Sequence, residues 1–292
     1  MKISIIGKFA TAVAVAIACV GLSVNGMKTI AQTSDLSTEG DSTAIEPATD
    51  NRLANLRLIA LTTNNTLVNI NLQGGANTRV RVRGINGNLV GIDFRPANNL
   101  LYGLTDTDNL YTINPDNGQA TLVRQLSNSF NGGFQSGFDF NPAADRLRVV
   151  GSNGQNFRIN VDTGEVITDG PIAFAADDVS GRVGFEANIT ASAYTNNVAG
   201  ATSTQLYNID YDQDILVLQN PPNAGTLRTV GSLGVNFAPI GGFDIFTDAQ
   251  GNNTAYALSG TTLYTINLST GAATRIANVP GGNFISLAIT AR

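Results

Sequence analysis

The chain has 292 residues, a formal net charge of −5, a single cysteine, and no histidine or tryptophan. An acidic protein is repelled by phosphate backbones and by anionic lipid surfaces, so the composition argues against binding to nucleic acid or to a membrane surface. A single cysteine cannot form an intramolecular disulfide, so the fold must be stabilised by its packed core.

The first 31 residues have the pattern of a secretory signal peptide. Two lysines give a positively charged start, an apolar run rich in Ala and Val covers residues 9 to about 24, and small residues precede Ala31. The run is short for a membrane span. We predict cleavage after Ala31 and a secreted or periplasmic protein. Lipidation at Cys19 is the alternative, but residues 16–18 lack the leucine usual before a lipidated cysteine.

Removal of residues 1–31 would take away every lysine, cysteine and methionine of the chain. The remaining chain has 14 Arg and 22 acidic residues, which gives a net charge of −8. Thiolate nucleophiles, imidazole bases, Schiff-base lysines and nitrogen or sulfur metal ligands are then excluded. Chemistry would have to rely on carboxylate, hydroxyl, phenol and guanidinium groups.

Residues 32–55 are rich in Ser, Thr, Asp and Glu and have few large apolar side chains. Such a segment cannot bury enough surface to offset the entropy of ordering, so we predict a flexible polar leader. From residue 56 to residue 292 the sequence changes to short runs of alternating apolar and polar residues, separated by Gly, Asn and Asp. These are strand and hairpin signals.

A short phrase of glycine, an apolar residue and an acid recurs with a period of roughly 45 residues, which is typical of a repeat architecture. The copies are Gly91-Ile92-Asp93, Gly137-Phe138-Asp139, Gly184-Phe185-Glu186 and Gly242-Phe243-Asp244. We predict that each copy begins the first of four antiparallel strands, which together describe one blade of a β-propeller. In the unit of Glu186 the second strand is predicted at residues 193–195 and the third at residues 206–210.

The count of units predicts five blades. The repeat region starts at residue 56 with a second strand, and residues 284–290 have the pattern of a first strand. The C-terminal strand would therefore complete the first blade and close the ring, which hides exposed strand edges. The predicted fold is all-β: a five-bladed β-propeller of four-stranded antiparallel blades, closed by the C-terminal strand.

Three phrases of the chain resemble a known family. They are Asn141-Pro142-Ala143-Ala144-Asp145-Arg146-Leu147-Arg148-Val149-Val150, Asn160-Val161-Asp162-Thr163-Gly164 and Gln219-Asn220-Pro221-Pro222-Asn223-Ala224-Gly225-Thr226-Leu227. Together they resemble the exported bacterial family known as domain of unknown function 4394, over nearly the whole region after the leader. That family has no established activity, so the resemblance implies a secreted bacterial repeat protein and no particular chemistry.

The candidate ligand-binding residues are Asp93, Asp139, Glu186 and Asp244, which share one position in the repeat, with Ser286 at the fifth. First strands line the channel of a propeller, so these acids are predicted to form a ring near its mouth. The ring could hold a cation or polarise a ligand. The alternative is structural: each carboxylate caps backbone N–H groups or pairs with an arginine between blades. No cofactor is predicted, and any bound ion would be Ca²⁺ rather than zinc because the ligands are oxygens.

The missing residue types and the uniform repeat favour a non-catalytic secreted or periplasmic propeller that binds an unknown ligand or protein partner. No catalytic residue is assigned, and no contact with nucleic acid, or with a membrane after signal cleavage, is expected. The alternative is a carboxylate-dependent hydrolase that acts on a glycan through the inner-strand acids. Two carboxyls about 5 to 9.5 Å apart across an open pocket would favour the hydrolase. Acids that are individually engaged would favour the binding protein.

Overall fold

The structure is a computed structural model that describes residues 55–292. The predicted signal peptide and all but the last residue of the predicted leader lie outside this range. Within it, no helix is long and apolar enough to cross a membrane. The strands in chain order are β1 (Leu56–Thr62), β2 (Thr66–Ile70), β3 (Thr78–Arg81), β4 (Leu89–Arg95), β5 (Leu100–Thr105), β6 (Asn109–Ile113), β7 (Ala120–Gln125), β8 (Ser136–Asn141), β9 (Arg146–Gly151), β10 (Asn156–Ile159), β11 (Val166–Thr168), β12 (Ala173–Phe174), β13 (Ile189–Tyr194), β14 (Leu206–Asp210), β15 (Ile215–Gln219), β16 (Thr226–Ser232), β17 (Gly241–Thr247), β18 (Asn253–Ser259), β19 (Thr262–Ile266), β20 (Ala273–Asn278) and β21 (Phe284–Ala291).

Strand pairing groups these elements into five sheets, which are the five predicted blades. Counted from the channel outward, they are β21-β1-β2-β3 (blade 1), β4-β5-β6-β7 (blade 2), β8-β9-β10-β11 (blade 3), β13-β14-β15-β16 (blade 4) and β17-β18-β19-β20 (blade 5). The short strand β12 adds to blade 4 in parallel with β16. The five inner strands contact one another in turn around the ring. The predicted five-bladed propeller is therefore confirmed.

The ring closes as the sequence predicts. Strand β21 pairs antiparallel with β1, with Leu58 opposite Ile289 and Ala60 opposite Leu287. The last strand of the chain is thus the inner strand of the first blade. Both ends of the propeller region therefore belong to one sheet, and the inner edge of β1 is covered by β21 rather than exposed.

Blade 4 differs from the prediction. Residues 193–195 do not form a second strand, because β13 is the innermost strand of this blade. The segment at residues 206–210 is the second strand rather than the third. The error arose from the phrase Gly184-Phe185-Glu186, which lies in an irregular loop where Gly184 has a φ of +82°. The true inner strand, β13, has the sequence ITASAY and lacks the glycine–acid signature.

The glycine of the phrase has a packing role where the phrase is in an inner strand. A Cβ added to Gly91, Gly137 or Gly242 would lie 2.5 Å or less from an atom of the neighbouring inner strand. The absence of a side chain therefore lets adjacent inner strands approach closely around the narrow channel. The apolar core fills the spaces between blades, as where the rings of Tyr102 and Phe140 meet edge to face at 5.3 Å across blades 2 and 3.

Candidate functional site

The structure brings together three of the four acids that the sequence singled out. Asp93 lies on β4, Asp139 on β8 and Asp244 on β17, and each is about 1% exposed. One carboxylate oxygen from each residue lies within 4.8 Å of the others. We call Asp93, Asp139 and Asp244 the channel triad. Glu186 does not join it, because this residue is exposed in the loop before β13.

Hydrogen bonds show which residues replace the acid in the two remaining blades. Each triad residue accepts an N–H from the next inner strand. Asp93, for example, accepts the N–H of Phe140, which directly follows Asp139. The residue before each donating residue therefore occupies the acid position of its own blade. This places Ala193 in blade 4 and Ala288 in blade 1 at the acid position. Ser286, predicted to be the fifth member, lies two residues earlier, where its hydroxyl pairs with the N–H and C=O of Ile92.

The triad carboxylates tie neighbouring blades together. The channel-facing edge of an inner strand has no further strand beside it, so its N–H groups need other acceptors. Asp93 and Asp244 also accept the N–H of the residue that follows them, at 2.7 and 2.6 Å. The bonds between blades are Phe140 N–H to Asp93 Oδ2 at 2.9 Å, Tyr194 N–H to Asp139 Oδ2 at 2.6 Å and Ile289 N–H to Asp244 Oδ2 at 2.5 Å. Backbone capping is thus the arrangement found, rather than pairing with arginine.

The electrostatics of the triad follow from its burial, and no cation of residues 55–292 contributes to the shifts of its pKa values. Loss of hydration raises the pKa of Asp93 to about 6. Burial raises the pKa of Asp139 well above its usual value, and the charges of Asp93 and Asp244 raise it further. Burial, with the charge of Asp93, also raises the pKa of Asp244. Asp139 Oδ1 is buried, and none of residues 55–292 donates a hydrogen bond to it.

A glutamine closes the channel above the triad. Gln135 precedes β8, and its Nε2 donates to the carbonyls of Thr190, Gly241 and Ile285 at 3.2, 3.2 and 2.5 Å. These carbonyls come from blades 4, 5 and 1, so one side chain joins three inner strands. A cavity of about 410 Å³ lies at this mouth. Below it, the space beside Ser286 has no room for a water molecule. The triad is therefore closed off from this mouth.

The arginines near the predicted ring have other partners. Arg95, two residues after Asp93, is 7% exposed. Its Nε donates to Asp145 at 2.8 Å and its Nη1 to Asp162 at 2.8 Å. These two carboxylates raise the pKa of Arg95, and its hydrogen bonds lower the pKa of Asp162. Two aspartates from the phrases that resemble the family therefore clamp an arginine between blades 2 and 3.

Arg148 has the largest fully buried side chain of the described residues, at 1% exposed. It donates to Asp169 at 2.5 Å, Asn223 at 2.7 Å, Asn156 at 2.7 Å and the Tyr194 hydroxyl at 3.2 Å. Sequence reasoning missed this network. An arginine within the apolar strand Leu147-Arg148-Val149-Val150 was the available signal, because a buried charge requires partners. The family phrases thus encode a polar network that joins blades 3 and 4.

Another cavity lies at the opposite end of the ring, where the inner strands finish. It has a volume of about 900 Å³ and lies between blades 1 and 2. Its amide side chains are Asn69, Asn99, Asn114, Asn117 and Gln119, its hydroxyls are Thr112, Thr121 and Thr290, and its charged side chains are Arg57, Asp116 and Arg292. We call this cavity the polar cleft.

Solved structures with a similar architecture have low sequence identity to this chain. One is a structural genomics protein of unknown function from Bacteroides thetaiotaomicron (16% identity, TM-score 0.46, 69% of this chain and 56% of that one). Another is an auxiliary nutrient binding protein from the same organism (15%, TM-score 0.40, 70% and 56%). A third is a luciferin-regenerating enzyme (10%, TM-score 0.43, 80% and 78%). The chain spans just over half the length of the two Bacteroides proteins, and likeness at this level carries no argument about function.

No curated protein matches the sequence of this chain. A family profile does match it, over residues 75–288, which is most of the chain, and it confirms the resemblance carried by the three phrases. The chain belongs to the family described as Domain of unknown function (DUF4394).

Proposed function

We propose that this protein is an exported, non-catalytic propeller that binds a polyhydroxylated small molecule in the polar cleft. The observation that carries the proposal is a contrast between two places. The carboxylates of the channel triad are buried and engaged by backbone N–H groups. The polar cleft is open, and eight of its 17 lining residues carry a neutral amide or a hydroxyl.

The geometry of the triad does not favour the alternative, a glycan hydrolase. A retaining glycosidase needs carboxyls about 5–5.5 Å apart and an inverting one about 6.5–9.5 Å apart, with the glycosidic bond between them. Here the three side chains are only about 1% exposed, so there is no open space between their carboxyls for a glycosidic bond. A sugar ring could not enter without separating the inner strands. The triad therefore supports a structural role, and the binding function is assigned to the cleft.

The groups of the cleft suit hydroxyls of a ligand. Asn114 and Asn117 use their carbonyl oxygens to accept backbone N–H groups of their own loop, which leaves their NH₂ groups as donors. Gln119 donates to the carbonyl of Ala120, which leaves its oxygen as an acceptor. A hydroxyl both donates and accepts, so it can match such a mixed set. The volume is also within the usual range of about 300–1,000 Å³ for small-molecule sites.

Binding can be tested without disturbing the fold. Thr112 and Thr121 lie on β6 and β7 and face the cleft, and the double variant Thr112→Val/Thr121→Val removes two hydroxyls at constant shape. The equivalent positions of blade 5 are Thr265 and Thr274, so Thr265→Val/Thr274→Val is the matched control. We expect calorimetry with a panel of monosaccharides and oligosaccharides to find a ligand whose affinity falls about tenfold in the cleft variant and is unchanged in the control.

Two outcomes would contradict the proposal. One is that no sugar of the panel binds the purified protein. The other is that a sugar binds the cleft variant as tightly as the parent. Hydrolysis of a sugar of the panel that is lost in Asp139→Asn and retained in Thr112→Val/Thr121→Val would instead support the carboxylate-dependent enzyme.

Export is the second part of the proposal and rests on the signal-peptide pattern of residues 1–31. Protein recovered from the periplasm or the medium should have an intact mass that corresponds to a chain starting at Gln32. A mass that retains Met27 and Lys28, or protein found only in the cytoplasm, would contradict export.

A further inference from the structure

Within the described part of the chain, the channel triad lacks one hydrogen-bond donor. Its three carboxylates have six oxygens, and backbone N–H groups donate to five of them. The sixth, Asp139 Oδ1, is buried and has no donor. One carboxylate oxygen of each triad residue lies within 4.8 Å of an oxygen of the other two. Two groups that only accept hydrogen bonds cannot share a dry contact unless a hydrogen or a cation lies between them.

No positively charged side chain of the described residues acts as the cation between these carboxylates. The neighbouring inner strands β13 and β21 place Ala193 and Ala288 at the equivalent positions. Arg95 is clamped by two other aspartates and Arg148 pairs with Asp169. The charges that act on the triad members come from within the triad.

The geometry favours a proton over a metal ion. Ca²⁺ takes six to eight oxygen ligands at about 2.3–2.6 Å. Five of the six triad oxygens already accept an N–H, and the N–H groups direct partial positive charge into the same space. The neighbouring part of the channel has no room for a water molecule. One missing donor on one oxygen corresponds to one hydrogen.

We propose that the channel triad binds one proton, shared between the carboxyls of Asp93 and Asp139, and that loss of this proton at higher pH destabilises the ring of inner strands. At the three interfaces that the triad bridges, the inner strands would then meet through three repelling carboxylates. The proton is therefore part of the closed channel, and the protein is expected to be more stable in mildly acidic than in alkaline solution.

The direction of the pH dependence follows from the raised pKa of Asp93, about 6 in the folded protein against an ordinary value of 3.8. Between these values the folded protein binds more protons than the unfolded chain, so stability falls as pH rises. Asp162 has the opposite effect on stability. Its pKa is lowered in the folded protein, so the stability that its ionised form contributes is lost as pH falls. Stability should therefore be highest near pH 4–5 and should decline through about pH 6 and above.

Thermal unfolding of the purified protein from about pH 4.5 to pH 8, in EDTA or in excess CaCl₂, tests the proposal. We expect the melting temperature to fall by about 5–10 °C over this range in either solution. In Asp139→Asn the side-chain amide supplies a permanent hydrogen to Asp93, so most of the decline should disappear. The control Glu165→Gln, at an exposed position, should retain all of it.

A melting temperature that does not fall with pH would overturn the proposal. A rise with CaCl₂ that is lost in Asp139→Asn would overturn it in favour of a divalent cation. If Asp139→Asn does not fold, infrared spectroscopy of the parent decides the question. A protonated-carboxyl band that persists near pH 6 in the folded protein and vanishes on unfolding is expected. Its absence would refute a bound proton.

Discussion

The glutamine that closes the channel offers a sharp test of how the five blades are joined. Gln135→Met keeps the length and volume of the side chain but removes the NH₂ group that donates to three backbone carbonyls. Those carbonyls belong to blades 4, 5 and 1. In the variant they would lose their common donor at a position where Gln135 itself is 6% exposed.

The magnitude follows from the number of bonds lost. An NH₂ group has two hydrogens, so the three contacts are equivalent to about two full hydrogen bonds. A buried carbonyl left without a donor costs about 1–3 kcal/mol. Water in the mouth cavity of about 410 Å³ can reach part of the gap, which lowers the cost. We therefore expect Gln135→Met to reduce the free energy of unfolding by about 2–4 kcal/mol and the melting temperature by about 5–15 °C.

Urea unfolding followed by far-ultraviolet circular dichroism is the suitable assay, because the chain has no tryptophan to report by fluorescence. Gln250→Met, at an exposed turn position, is the matched control and should unfold like the parent. A change below about 0.5 kcal/mol in Gln135→Met would refute the reasoning, since it would mean that the three inner strands do not depend on their shared donor.

Two further predictions concern the ring and its polar network. Deletion of residues 284–290 removes the inner strand of blade 1 and exposes the edge of β1. Size-exclusion chromatography should then show aggregation, or calorimetry should show loss of cooperative unfolding. A truncated protein that melts like the parent would exclude closure of the ring by this strand. Arg148→Met should lower the free energy of unfolding by about 3 kcal/mol, which is near the low end of the loss usual when one partner of a buried salt bridge is removed. The loss should be at the low end because Arg158 still pairs with Asp169. The half-buried Arg158→Met should cost less in the same urea assay, and an equal or larger loss there would contradict this account.

Local signals account for much of what the sequence predicted. Alternation of apolar and polar residues has a period of two, and glycine turns mark the ends of strands, so both can be recognised without knowledge of the partners. The same local signal misled in blade 4. There Gly184-Phe185-Glu186 matches the repeated phrase but lies in a loop, while the inner strand β13 contains neither a glycine nor an acid.

The position of the site depended on register between distant strands. Sequence alone placed Asp93, Asp139 and Asp244 at one repeat position, and the structure brings them together. The sequence could not show that Glu186 stays outside the triad, because the segment that becomes the inner strand of blade 4 is selected by pairing with β14. That segment, β13, begins three residues after Glu186 and has Ala193 at the acid position.

The sequence by itself determined the number of blades and the strand that closes the ring, because the strand pattern recurs about every 45 residues and the two ends of the propeller region supply complementary parts of one further blade. Only the tertiary structure decided that the triad is sealed, that Gln135 joins three blades and that Arg148 is buried within a polar network. Those features bring together residues far apart in sequence, such as Gln135 and Ile285. Burial and the partners of a charge depend on the packed ring as a whole, and no single repeat contains that information.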